Sequence, residues 1–231
     1  MTSQTLLEAL LDDRSDDGAW RGPLLDHWAD LVAAHCPPGS AILEPMCGLG
    51  GQSRALAKRV NGSVIGFDVA PDVVAAANRL FSGGMFQCYH LDILERPQFS
   101  AQFDVVLLGY EALNAFPVGI WSSIITWVRS LCAPCARLIL DLQVRHPRRL
   151  VSSGLDGIVL QADIFGRLVT FDYNKRDGVR ISQRYVCSTE QVASVLSAAG
   201  FQTIWACEVF DIMEPSKLDL KTLRTIVAVA V

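Results

Sequence analysis

Positive charge is in short supply in this chain. Its 20 lysines and arginines are outnumbered by 24 aspartates and glutamates, which leaves a net charge of -4 over 231 residues. A general grip on nucleic acid or on an anionic membrane surface needs a broad basic face, so neither partner is expected. Long apolar runs are also missing, since nothing approaches the roughly 18 consecutive apolar residues of a membrane-spanning helix. The opening MTSQTLLEALLDDRSDD lacks the basic start and extended apolar stretch of a secretory signal. The seven cysteines (Cys36, Cys47, Cys88, Cys132, Cys135, Cys187 and Cys207) are odd in number and form no paired framework. That pattern suits reduced thiols and a cytoplasmic location. Cys132 and Cys135 stand at a metal-like spacing, but zinc needs about four ligands and no second pair accompanies them, so no metal is expected. Repeats and low-complexity tracts are absent.

What the chain does have is apolar material in regular alternation. Hydrophobic residues make up 51% of it and the mean hydropathy is +0.30, enough for a substantial core in one domain with a modest insertion. Residues 5–36 read as two helices broken at Asp16, Asp17 and Gly18. From Ala41 onward, short apolar strands alternate with helical stretches: strands at 41–44, 63–68, 85–89, 103–108 and 137–142, helices at 52–60, 72–81 and 120–131. Phe103 to Leu108 is continuously apolar, as a strand buried on both faces is. This order predicts a doubly wound α/β fold around a mainly parallel sheet. Between Gly157 and Val186 the pattern shifts to short alternating segments, read as an antiparallel β insertion with a hairpin. Ser188-Thr189-Glu190 then caps a helix to Ala199, and residues 201–209 and 225–231 form the closing strand pair.

The chemistry concentrates in Ala41 to Lys58, AILEPMCGLGGQSRALAK, and in the following VIGFDVAP, which contains Asp68. A strand runs into a carboxylate, a Gly-rich turn and a helix, and the next strand ends in a second carboxylate; this is a nucleotide-type cofactor site. Glu44 before the glycines would repel a pyrophosphate and attract an ammonium group, so a cationic cofactor is favoured. A dinucleotide fingerprint needs Gly-x-Gly-x-x-Gly, whereas the turn reads Gly48-Leu49-Gly50-Gly51-Gln52-Ser53 and lacks the third glycine. NAD and FAD therefore fall behind.

The string Glu44-Pro45-Met46-Cys47-Gly48-Leu49-Gly50 resembles the first motif, acidic-x-Gly-x-Gly-x-Gly, of the class I S-adenosylmethionine-dependent methyltransferases, with Met46 where the first glycine usually stands. The resemblance spans nearly the whole chain and implies a seven-stranded sheet, an N-terminal helical cover over residues 1–38 and a lid insertion over 148–187. That insertion resembles the one in small-molecule N-methyltransferases. The resemblance implies S-adenosylmethionine as cofactor and a small-molecule acceptor, with cofactor contacts at Glu44, Met46, Cys47, Gly48, Gly50, Asp68, Val69, Asp92, Ile93 and Gly109. Asp68 would accept from both ribose hydroxyls, and a helix N-cap is its bland alternative, for which Asp72 after Pro71 is better placed. Asp92 and the N–H of Ile93 would read the adenine, and Asp92 equally suits a loop cap.

Beyond the fourth strand, Tyr110 could hold the sulfonium region and Glu111 could attract a cationic amine or take its proton; packing and solvation are the plain alternatives. His146, in the Arg-rich loop after the fifth strand, is a candidate base. Trp20, Arg21 and Trp28 lie in the cover, where packing is the stronger reading for the tryptophans. LCAPCARLIL resembles the family's turn before strand five, with Cys135 at a glycine position. An amine acceptor leads, O- or C-methylation is open, and a binding protein of this fold without methyl transfer is the rival from another class.

Overall fold

A computed structural model describes residues 18–81, 84–143, 152–154, 157–164, 167–174, 178–185, 187–208 and 223–231. Helix α1 covers Gly18–Ala33, followed by β1 (Ala41–Pro45), α2 (Gly51–Val60), β2 (Ser63–Asp68), α3 (Pro71–Leu80) and β3 (Phe86–His90). The short 3-10 turn η1 (Ile93–Glu95) leads to β4 (Phe103–Leu108), a second such turn η2 (Ala112–Ala115), α4 (Val118–Leu131) and β5 (Cys132–Gln143). Strands β6 (Ser152–Gly154), β7 (Gly157–Ile164), β8 (Arg167–Asn174) and β9 (Gly178–Tyr185) precede α5 (Thr189–Ala198), β10 (Phe201–Glu208) and β11 (Leu223–Ala230).

Seven strands form the main sheet in the order β10-β11-β5-β4-β1-β2-β3. The pairs β1–β2, β1–β4, β2–β3 and β4–β5 are parallel, while β11 runs antiparallel to both β5 and β10. Strand order reverses between β1 and β4, which opens a crevice at their carboxyl ends, the place where open parallel sheets bind ligands. Period-two alternation divides the sheet between two helical layers. Ile42, Val105, Leu107 and Ile139 pack with α1, α2 and α3, whereas Leu43, Val106, Leu108, Leu138 and Leu140 pack with α4 and α5. A separate four-stranded antiparallel sheet, β6-β7-β8-β9, lies within the insertion. Its β8–β9 pair is in register from Arg167 opposite Tyr185 to Asn174 opposite Gly178, the expected hairpin.

Two details depart from the sequence reading. Strand β5 begins at Cys132, directly after α4, instead of at Arg137. The chain bends within it at Cys135, whose φ of 60° is the left-handed conformation that favours glycine. Helix α3 is capped by Ala70 with no side-chain hydrogen bond, so Asp72 is not its N-cap; Pro71 occupies the first turn and Asp72 faces the helix dipole from within it. Helix α5 has the expected cap in full, with Ser188 and Gln191 forming a reciprocal capping box.

The exposed edge of the sheet at β3 is blunted by α3. The Asn78 side chain donates to the Cys88 carbonyl at 2.8 Å and accepts from the Cys88 N–H at 2.9 Å, occupying groups that another strand would otherwise pair with. Replacement Asn78→Leu is expected to lower stability by about 1–3 kcal/mol, because two backbone groups lose their partner. Urea denaturation of the variant measures this.

Candidate active site

The chain leaves β1 at Pro45 and turns sharply at Met46, which has φ of 57°. A side chain there costs about 1–2 kcal/mol relative to glycine, and the Met46 side chain packs against the core below the sheet ends. The position that usually carries the motif's first glycine thus keeps a glycine-like backbone with a methionine on it. Cys47 points inward, 3% exposed, with its sulfur 3.3 Å from that of Cys88. This contact and burial raise its pKa, so it is an unreactive thiol.

Gly48 and Gly50 serve different ends. Gly48 has φ of 53°, and a Cβ built on it meets nothing within 4 Å, so this face of the turn is open to a ligand. A Cβ on Gly50 would stand 2.3 Å from the Phe86 ring; its missing side chain is filled from within the protein. The Gly48 N–H donates to Asp68 Oδ2 at 3.0 Å and the Ala70 N–H to Asp68 Oδ1 at 3.0 Å. Asp68 therefore ties the ends of β1 and β2 together, and a carboxylate with about four acceptor sites retains capacity for two more donors. Val69 beside it is 59% exposed.

At the end of β3, Asp92 accepts from the Leu94 N–H at 2.8 Å as the cap of η1, so its loop-capping role is realised. Ile93 is buried. After β4 the backbone is unusual: Tyr110 and Glu111 have φ of 47° and 60°, two consecutive left-handed residues that cost about 1–3 kcal/mol each and concentrate at functional sites. Tyr110 is 59% exposed, and its hydroxyl lies 3.2 Å from where a Cβ on Gly51 would be, which sets the ring across the Gly-rich turn. Glu111 is half-buried and precedes η2. Asn114 in η2 is fully buried and donates to the Tyr185 carbonyl at 2.6 Å, joining this turn to the end of β9.

Beneath the turn lies a buried polar cluster. Glu44 is 1% exposed and accepts from Ser53 Oγ at 2.5 Å. Burial pushes its carboxyl up to about 8, opposed by the Ser53 bond and assisted by nearby Asp141 and Asp68. Asp141, on β5, is also 1% exposed. It accepts from Thr225 Oγ1 at 2.7 Å, from Gln52 Nε2 and from the Tyr110 N–H; burial raises its pKa as well. Trp28 Nε1 donates to Thr225 Oγ1 at 3.2 Å, so this tryptophan is a buried packing residue of α1.

The fold thus places Glu44, Met46, Gly48, Asp68, Val69, Gly109, Tyr110 and Glu111 at the carboxyl ends of β1, β2 and β4, with Asp92 and Ile93 after the adjoining strand. His146, with Arg145, Arg148 and Arg149, lies outside the described residues, as do the side chains of Trp20 and Arg21. The buried polar contacts of Gln52, Ser53, Asp141 and Asn114 are not anticipated by the sequence reading. Asp141 did carry a signal: it is the one charged residue in the apolar run LILDL, and a charge within a buried strand needs an explanation.

These parts fit a cationic adenosine cofactor. The open face at Gly48, the spare acceptor capacity of Asp68 and the buried carboxyl of Glu44 offer acceptors and no phosphate cradle. Residues 42–135 match the family described as methyltransferase domain. That stretch, from β1 into β5, is a methyltransferase domain. The chain is 26% identical over 187 residues to a demethylmenaquinone methyltransferase of Lactiplantibacillus plantarum, covering 77% of this chain and 78% of that protein. Among solved structures it resembles CalS10, an amino pentose methyltransferase from Micromonospora echinaspora, with TM-score 0.63, 20% identity and coverage of 97% and 96%. It also resembles the sugar N-methyltransferase KedS8 from Streptoalloteichus, with TM-score 0.66, 17% identity and coverage of 96% and 92%. At these identities the structural likeness concerns the fold, which the chain shares over nearly its whole length.

The Glu44 carboxyl makes stability depend on pH. Between its ordinary value of 4.5 and about 8, the unfolded chain gives up a proton that the folded one keeps, so stability falls as pH rises through this window. Glu44→Gln is expected to remove this part of the decline, with denaturation midpoints at about pH 5 and about pH 8 closer together than in the parent.

Proposed function

We propose that the enzyme methylates a small metabolite at an amine nitrogen. The observation that carries the reading is the turn after β4, where half-buried Glu111 and exposed Tyr110 are held in a strained backbone with the Tyr110 hydroxyl against the Gly-rich turn at Gly51. A carboxylate at this mouth attracts a protonated amine and accepts its proton, leaving the lone pair that methylation requires. Tyr110 presents an aromatic face and a hydroxyl to the sulfonium region. The likeness to amino sugar methyltransferases supports the same acceptor class. The acidic balance of the chain favours a small molecule over nucleic acid.

When bound, S-adenosylmethionine supplies a methyl group already activated on sulfur. The chain's own residues then act mainly by position. Asp68 holds the ribose, the Gly48 backbone allows close approach, and Glu44 with the neighbouring acceptors orients the ammonium end. Good alignment of this kind is worth about 7–11 kcal/mol of the barrier. A second reading is methylation of a demethylmenaquinone-like acceptor, favoured by the demethylmenaquinone methyltransferase relative; such an acceptor carries no ammonium for Glu111 to attract. Product analysis with amino sugars, amino acids and a demethylmenaquinol separates the two, and loss of amine methylation in Glu111→Gln is the expected result.

The cofactor assignment is checked by titration. Asp68→Ala is expected to lose measurable affinity for S-adenosylhomocysteine, and unchanged affinity would refute the role given to Asp68. Because Glu44 holds a proton near neutrality without a cation beside it, binding an ammonium at pH 7 is expected to release about one proton. Calorimetry in buffers of different ionisation enthalpy reads that release, and Glu44→Gln abolishes it.

A further inference from the structure

Gln52 stands in the first turn of α2 and is 6% exposed. Its Nε2 donates to Asp141 Oδ2, while its Oε1 is buried without a hydrogen-bond partner. The orientation of this amide follows from its neighbour. Asp141 collects donors from Thr225, from the Tyr110 backbone and from Gln52, and a carboxylate that accepts on every side takes the NH2 end and turns the oxygen away. Buried polar atoms are nearly always paired, so an orphan one points to a missing partner.

The location of that oxygen identifies the partner. It lies 2.0 Å from the point a Cβ on Gly109 would occupy, and Glu44 Oε1 lies 3.5 Å from the same point. Two oxygens from different elements therefore converge beside Gly109, and Gln52 fills the space of its missing side chain, which explains the glycine there. Gln52 Oε1 is an acceptor, and Glu44 becomes a second one when it gives up its proton to a cation, an arrangement that rejects phosphate and carboxylate and calls for a cationic group with several N–H donors.

We propose that Gln52 is a binding residue for the ammonium group of the cofactor's amino acid portion, accepting one of its N–H groups on Oε1 beside Glu44. Asp141 is the positioning residue that fixes which end of the amide faces it. The inference rests on the reading that S-adenosylmethionine occupies this crevice, and it adds the side chain that distinguishes an ammonium from an unsubstituted thioether.

Isothermal titration with two compounds tests it. S-adenosylhomocysteine carries the ammonium; 5′-methylthioadenosine has the same adenosine and thioether but no amino acid portion. Gln52→Met is expected to weaken S-adenosylhomocysteine by about 10- to 100-fold, the usual worth of a hydrogen bond to a charged group, and to leave 5′-methylthioadenosine within about two-fold. Asp141→Asn, which frees the amide to rotate, is expected to show the same selectivity at smaller amplitude. Equal weakening of both compounds would overturn the proposal by showing a structural role, and unchanged S-adenosylhomocysteine affinity would overturn it by showing that water alone satisfies Oε1. Failure of the parent protein to bind either compound would instead sink the cofactor site itself.

Discussion

Two carboxyl groups, Glu44 on β1 and Asp141 on β5, are buried on the strands either side of β4, and their partners are neutral donors. Removing such groups from water is costly unless they are neutralised or fully hydrogen-bonded. The fold meets part of that cost with Ser53, Gln52, Thr225 and the Tyr110 N–H, and by keeping a proton on Glu44 near neutral pH. What remains unsatisfied in this cluster is an acceptor, the buried Gln52 Oε1. A positively charged ligand completes the set, so the electrostatics of folding and of cofactor choice are one constraint.

The local backbone follows from the same demand. To bring the Gly-rich turn over Glu44, the chain must bend at Met46; to bring the turn after β4 alongside it, Tyr110 and Glu111 must adopt left-handed conformations. Asp141 holds the second bend through the Tyr110 N–H, and Asp68 holds the first through the Gly48 N–H. Gly109 has no side chain because Gln52 occupies the space. Strain at these residues is offset by hydrogen bonds to acids that would otherwise lack donors.

Much of this was legible in the sequence, for identifiable reasons. Parallel strands buried on both faces write themselves as apolar runs, so β4 at Phe103–Leu108 and β2 at Ser63–Asp68 were read to the residue. The acidic residues ending β1 and β2, set around the glycines, marked the crevice. What sequence could not display was the meaning of spacing across the fold. Thr225 and Asp141 are 84 residues apart, and Gln52 and Asp141 are 89; no local pattern announces that they share a hydrogen bond. Gly50 looked like a ligand-facing glycine beside Gly48, and only the Phe86 ring from β3 reveals its packing duty. Asp72 looked like a helix cap because Pro71 precedes it, but proline belongs in the first turn, which moves the cap back to Ala70.

The reach of the Asp141 cluster explains why the ends of the chain matter to a site built from its middle. Through Thr225 and Trp28 it binds β11 and α1; through Gln52 it binds the start of α2; through Tyr110 it binds the turn after β4. Asn114 carries the connection on to β9 and thus to the second sheet. A cationic ligand that favours ionised Glu44 acts on a network already joined to these elements, and any ligand that binds only the folded state stabilises it. A cation bound there therefore acts on α1 and on the turn after β4 through the same acids whose hydrogen bonds hold those elements in place.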